Sequence, residues 1–189
     1  MSPATQTLAT LDDLARGDGK AELIAGRIVH LMPSGDAPTE VAFEIAVHLR
    51  EYARLRRVGV AFPDAIGYAL TTPLPNGRQS FSPDASFYVG PRPKNRMRFI
   101  EGIPTLAVEV QSENDYGPSD ETLQAAKRAD YFDAGTLVVW DVDTIASTVS
   151  VYRSDAPTLP VVYGLGEVAE AEPAVPGWRL PVDEIFLRP

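Results

Sequence analysis

The run TLAVEVQS at positions 105–112, the stretch SDETLQAAKRADYFDAG after it and then LVVWDVD restrict the fold more than any other part of the chain. Leu106, Val108, Val110 and later Val138, Val139, Trp140 and Val142 read as two apolar strands, each too rich in large side chains to lie open on a face. Between them the spacing predicts a helix over Ser119–Ala134. Ser119 serves as its N-cap, Asp120 and Glu121 complement the helix dipole in the first turn, and Gly135 closes it. A strand, a helix and a strand in this order form a right-handed crossover between parallel strands. The chain must therefore build a sheet that is at least partly parallel, with a helix across one face.

The remaining elements fit around that unit. Leu11–Ala15 reads as a short helix capped by Thr10, and AELIAGRIVHLMP as a hairpin turning at Ala25-Gly26. After a Pro33–Pro38 loop, Val41, Ile45, Leu49 and Tyr52 recur near a 3.6 period, which predicts a long helix with Thr39 as its cap. VGVAFPDAIGYAL gives one or two short strands, TTPLPNGRQS an exposed turn, and SFSPDASFYVG and TVSVYRS further strands. The tail reads as edge strands and turns around Trp178, Leu180, Ile185 and Phe186. No repeat or linker interrupts the 189 residues. The expected fold is α/β, a single domain over residues 1–189 with a mixed sheet flanked by helices. Its core spans about 20–153, and C-terminal strands and turns fill 154–189.

Composition excludes several classes. With 44% hydrophobic and 23% charged residues and no apolar run near ~20 residues, the chain has no membrane span. Its start lacks a secretory pattern, and the absence of cysteine removes disulfides and thiolate chemistry; both fit a cytoplasmic protein. Seventeen basic against 26 acidic residues, a formal charge of −9, oppose strong non-specific binding to nucleic acid. Two local basic clusters remain, Arg54–Arg57 and the set Arg92, Lys94, Arg96 and Arg98. There is no G-x-S-x-G elbow, P-loop or H-E-x-x-H. His30 and His48 lie on apolar elements and read as boundary histidines, while Tyr131 and Trp140 read as core.

Glu109 is the anomaly. An ionised carboxylate inside an apolar strand is costly unless it meets solvent, a partner or a cation. Asp84, after Pro83 at the head of ASFYV, supplies a second acid, and adjacent strands would bring both carboxylates to one sheet edge. Magnesium commonly binds one or two carboxylates together with waters and substrate phosphate, and a backbone carbonyl after the strand acid, from Val110 or Gln111, can add a ligand. Lys127 on the following helix could turn its ammonium to the same edge. An acid pair, a metal and a lysine supply what phosphodiester hydrolysis requires: charge neutralisation, a polarised water and a stabilised leaving oxygen. Singly, each residue also has a plain structural reading, as turn, edge or surface charge.

Taken together, SPDASFYV, PTLAVEVQS, KRADYFDAGTLVVWDVD and VSVYR, with AELIAGRIVHLMP before them, resemble the Uma family of restriction-endonuclease-like proteins, a branch of the PD-(D/E)XK nuclease superfamily. The resemblance covers Glu22 to about Arg153. It implies a restriction-endonuclease-like fold and hydrolysis of DNA phosphodiesters with Mg²⁺ or Mn²⁺. It makes Asp84 the motif aspartate, Glu109 the acid of the (D/E)XK element and Lys127 the lysine this branch carries on the helix. Gln111 occupies the usual lysine position and lines the site, and Glu113 stands where relatives have proline. Glu22 is the first choice for a further acid, ahead of Glu44 and Glu40. The basic set Arg92, Lys94, Arg96 and Arg98 would clamp phosphates near the acids, and cutting two strands would call for a homodimer. The rival expectation is a non-catalytic nucleic-acid-binding or assembly module that keeps the fold.

Overall fold

Side-chain alternation in the central strands sets the layers of the molecule. The computed structural model describes residues 8–113 and 115–186. Their elements follow in the order α1 (Leu11–Arg16), β1 (Ala21–Ile24), β2 (Arg27–His30), α2 (Asp36–Arg56), β3 (Val60–Pro63), β4 (Tyr68–Ala69), β5 (Ser80–Phe81), β6 (Ala85–Tyr88), β7 (Ile100–Glu101), β8 (Leu106–Val110), α3 (Pro118–Asp133), β9 (Val138–Asp143), β10 (Thr148–Arg153), β11 (Ala156–Tyr163), β12 (Val168–Glu170) and β13 (Arg179–Pro181). Six strands form the central sheet, in the order β11-β10-β9-β8-β6-β3. Within it β8 and β9 run parallel, from Leu106↔Val138 to Val110↔Val142, with α3 as the crossover, and the other pairs are antiparallel. The mixed α/β architecture expected from the sequence is the one observed.

On one face Leu106, Val108 and Val110 line up with Ala85, Phe87, Val138, Trp140 and Val142, and α2 seats Val41, Ile45 and Leu49 on them. Each such side chain, taken fully from water, contributes roughly 1.5–3 kcal/mol. The opposite face carries Ala107, Tyr88 and Val139 and meets Tyr131 of α3 with Tyr68 and Phe81. The tail does more than edge the sheet. Trp178 stacks on Trp140 at 5.1 Å, and the Tyr52 hydroxyl donates to the Pro176 carbonyl at 2.6 Å, so the C-terminal segment shares the α2 face. The hairpin turns as expected, with Ala25 and Gly26 both at positive φ, the two-residue geometry that matches strand twist.

Three local expectations change. α2 starts one turn early, at Asp36 with Gly35 as its N-cap, so Thr39 lies inside the helix and its hydroxyl donates to the Gly35 carbonyl at 2.7 Å. Pro38 is tolerated there because first-turn N–H groups have no helical acceptor to lose. α3 is capped by Gly117, not Ser119: Pro118 opens the helix, and the Asp120 carboxylate reaches back to accept from the Gly117 N–H at 3.1 Å. The turn TTPLPNGRQS is not wholly exposed, since Arg78 and Ser80 are buried, and SFSPDASFYV divides into β5 and β6 around Ser82–Asp84. Among the described residues no helix is long and apolar enough to cross a membrane.

Candidate active site

β6 and β8 are antiparallel, so the start of one lies beside the end of the other. Asp84, just before β6, is thereby set against Glu109 and Val110. Its N–H donates to the Val108 carbonyl at 3.0 Å, and its Oδ2 accepts from the Val110 N–H at 2.8 Å. Glu109 alternates with Val108 and Val110 and faces α3. There Lys127 Nζ donates to Glu109 Oε2 at 2.8 Å and the Tyr131 hydroxyl donates to Oε1 at 2.7 Å. Lys127 and Tyr131 are four residues apart and share one helix face.

β1 supplies the opposite wall. Lys20 and Glu22 are two residues apart on an extended segment, hence on one face; the Lys20 carbonyl accepts from the Leu31 N–H at 2.9 Å, which extends the hairpin pairing to it. Lys20 Nζ lies 2.6 Å from Asp84 Oδ1 and 2.6 Å from Asp64 Oδ1. Because Pro63 pairs with Ala85, Asp64 and Asp84 flank the same antiparallel register, and Lys20 bridges them. Glu22, only 2% exposed, accepts from the Ser82 N–H at 3.0 Å and stands 3.3 Å from Lys127 Nζ. Arg78 holds it from behind: NH1 pairs with Glu22 while Nε donates to Asp130 Oδ2 at 2.6 Å, and Asn76 Nδ2 donates to the other Asp130 oxygen at 2.7 Å.

The cluster sets five acids, Glu22, Asp64, Asp84, Glu109 and Asp130, against the three cations Lys20, Arg78 and Lys127, and the imbalance falls on Glu109. Burial raises its carboxyl, Lys127 pulls it back, and the negative charges of Asp84 and Glu22 push it up again, to about 7. Glu22 goes the other way: burial acts to raise it, but Lys127 and Arg78 outweigh that and hold it below the usual carboxylate range. Burial acts to lower Lys127, yet Glu109 and Glu22 raise it, so it stays an ammonium. Burial and the Glu109 charge raise Tyr131 well above the ordinary phenol range, so it remains a donor.

The donor set suits a small hard cation. A carboxylate offers about four lone-pair positions, more than the two bonds that Asp84 and Glu109 each accept here. Strand geometry also chooses between the two carbonyls. Gln111 donates its N–H to the Val142 carbonyl and accepts from the Thr144 hydroxyl, so its main chain faces β9; Val110, one residue earlier, turns its main chain to β6 and Asp84. Of the two carbonyls, that of Val110 is the one on the Asp84 side. Among the described residues no group of three or more His, Cys, Asp or Glu side chains is placed to hold a metal ion.

Sequence reasoning brought Asp84, Glu109, Lys127 and Glu22 together, and the structure joins them in one cluster. Gln111 shares the α3 side but is engaged elsewhere, its Nε2 donating to Gln124 Oε1 at 2.9 Å. Glu40 and Glu44 sit on α2, across the sheet from Glu109, which leaves Glu22 as the third acid. The basic set sits on the loop between β6 and β7. Its loop leaves from the C-terminal end of β6, opposite Asp84, because β6 is a single traverse of the sheet. Arg92 folds over the Phe62 ring at 4.9 Å and Arg98 pairs with Asp12 at 3.0 Å. His48 stands 3.5 Å from Glu184 on a partly exposed boundary, and His30 is exposed.

Lys20, Arg78, Asp130, Asp64 and the functional side of Tyr131 were missed. Some carried a signal. Asp64 and Asp84 both follow a proline at the edge of a strand, and Lys20 has the same alternation as Glu22. Tyr131 has the same helical face as Lys127. Arg78, inside a turn rich in Pro, Asn and Gly, carried none.

Comparison with known proteins bears on the fold and the family. A structure described as that of "a putative nuclease belonging to DUF820" from Anabaena variabilis superposes with a TM-score of 0.70 at 20% identity, covering 94% of this chain and 97% of the other; at that identity the likeness shows the fold. No curated protein matches the chain in sequence. The family described as "Uma2: Putative restriction endonuclease" matches residues 7–183, nearly the whole length. The chain therefore belongs to the Uma2 family of restriction-endonuclease-like proteins.

Proposed function

We propose that the protein is a metal-dependent endonuclease, a single domain that hydrolyses phosphodiester bonds in DNA. One observation carries the reading: Asp84 and Glu109 stand at the adjoining ends of neighbouring strands with Lys127, a charged ammonium, 2.8 Å from Glu109. Asp84, Glu109 and the Val110 carbonyl would hold Mg²⁺ or Mn²⁺, which when bound neutralises phosphate charge and acidifies water. Lys127 orients the attacking water and faces the charge that grows on the phosphoryl oxygens. Glu22 keeps Lys127 protonated and would hold it in place were Glu109 to bind a cation, and Tyr131 fixes the other Glu109 oxygen. Lys20 neutralises Asp84, and Asp64 would keep its ammonium paired were Asp84 to hold a cation. Water adds to phosphorus, the P–O bond to the leaving deoxyribose breaks, and the products are a phosphomonoester and an alcohol.

Lys127→Ala tests the assignment. Turnover in Mn²⁺ should fall by at least about 100-fold, the range for a group that positions water and stabilises transition-state charge, while calorimetry shows manganese affinity kept or raised. Retained turnover would make Lys127 a structural lysine, and wild-type protein that binds DNA without cutting would favour the binding-module reading.

The loop cations serve affinity, away from the bond that is cut. Lys94 and Arg96 are exposed and extend from the far end of β6. Replacing both with Ala should reduce the slope of log affinity against log salt by about two, since roughly one counterion is released per phosphate contact, and leave cleavage of bound DNA unchanged. An unchanged slope would return them to plain surface charge.

A further inference from the structure

A small pocket opens beside the acids. Asp84 and Val110 form its inner wall, Pro38, Ala42 and Phe43 of α2 one side, and Pro63 at the end of β3 the other. Phe43 is 57% exposed, an unusual cost for a phenyl ring on a helix whose other face is core. The volume is about 100 Å³. A closed cavity of roughly 150 Å³ takes a benzene ring, so a pocket of this size with an open mouth accepts one planar ring standing partly out, and not a base pair.

From this we infer that the pocket receives an unpaired nucleobase next to the scissile phosphate, so that the substrate is single-stranded DNA or DNA with an unpaired nucleotide at the cut. The inference rests on the nuclease reading and names its substrate. Position is the first ground. A phosphate bound through a cation at Asp84 and Val110 would have its neighbouring sugar and base over this pocket, because the same two residues line it. Charge is the second. Duplex binding draws mainly on backbone phosphates, yet the chain carries −9, the basic loop leaves from the opposite end of β6, and the two site lysines are already engaged by carboxylates. Stacking is the remaining source of affinity at the site, and it requires a base with a free face. Phe43 offers the aromatic platform, and Pro38 beside it and Pro63 across from it add apolar surface. In a duplex the same base is already stacked and paired, and it enters only after being turned out.

The test is fluorescence anisotropy in EDTA, which prevents cleavage, with a labelled oligothymidylate, the same strand with abasic positions, and the same strand in duplex. The full strand should bind about tenfold or more tightly than the duplex or the abasic strand. Phe43→Ala should lose about tenfold on the full strand with an unchanged melting temperature, and Phe43→Trp should keep the affinity. Duplex bound as tightly as the single strand, or Phe43→Ala binding like wild type, would overturn the inference while leaving a measured Mn²⁺-dependent cleavage intact. If the three probes rank as expected but nothing is cut in Mn²⁺, the pocket stands and the nuclease reading falls.

Discussion

Glu109→Gln is expected to fold, to melt no lower than wild type without metal, and to cleave no DNA in Mg²⁺ or Mn²⁺. In the metal-free protein Glu109 is crowded by Asp84 and Glu22, and its carboxyl is raised to about 7 by burial and those charges. Its folded value lies above the ordinary 4.5, so the stability it contributes is fully present below pH 4.5 and is lost as pH rises through about 7. Glutamine fills the same space without that loss. The two proteins should therefore melt together near pH 4.5, and the variant should gain on wild type by several degrees by pH 8, on the order of 3 kcal/mol. Lys127 is not stranded by the change, because Glu22 lies 3.3 Å away. Were Glu109 instead half of a required ion pair, the variant would lose about 3 kcal/mol or more. Added Mn²⁺ should raise the wild-type melting temperature through preferential binding to the folded state and leave the variant nearly unmoved.

Arg78→Ala should be the most destabilising single change at the site, at about 3–5 kcal/mol in urea unfolding. The guanidinium is 8% exposed and sends NH1 to Glu22 and Nε to Asp130, joining β1 to α3. Its removal leaves the buried Asp130 carboxylate without its cation and Glu22 with Lys127 alone, and loosens the support of Lys127. Arg78→Lys should recover only part, since one ammonium cannot replace a fork whose nitrogens serve different acids. Combining Arg78→Met with Glu22→Gln and Asp130→Asn should cost clearly less than the sum of the separate changes, because the unpaired charges vanish with their partner. Additive losses would show that these groups do not act as one network.

The sheet was legible because its signals are local. The β-branched runs at Leu106–Val110 and Val138–Val142, with a helical segment between them, leave few alternatives to a parallel pair. Asp84, Glu109 and Lys127 could be found because an acid in an apolar strand is anomalous by itself. Helix starts were less legible: Ser119 and Thr39 look like caps, but backbone geometry and the carboxylate of Asp120 decide where α3 begins. The support of the site was hidden for another reason. Arg78 gains meaning only when the loop carrying it lies against β1, 56 residues away in sequence from Glu22, and no periodicity records that contact. The placement of the basic loop likewise followed from strand direction, which sequence spacing leaves open. The set lies on the loop after β6, and its resting contacts, Arg92 over Phe62 and Arg98 on Asp12, are tertiary.

The most direct measurement is anomalous diffraction from crystals of the protein soaked in Mn²⁺. The assignment requires a manganese peak bonded to Asp84, Glu109 and the Val110 carbonyl, with the Lys127 ammonium beside the metal's waters and Lys20 moved onto Asp64. No peak at Asp84 and Glu109 at millimolar manganese, with Lys20 and Lys127 still on their carboxylates, would contradict it.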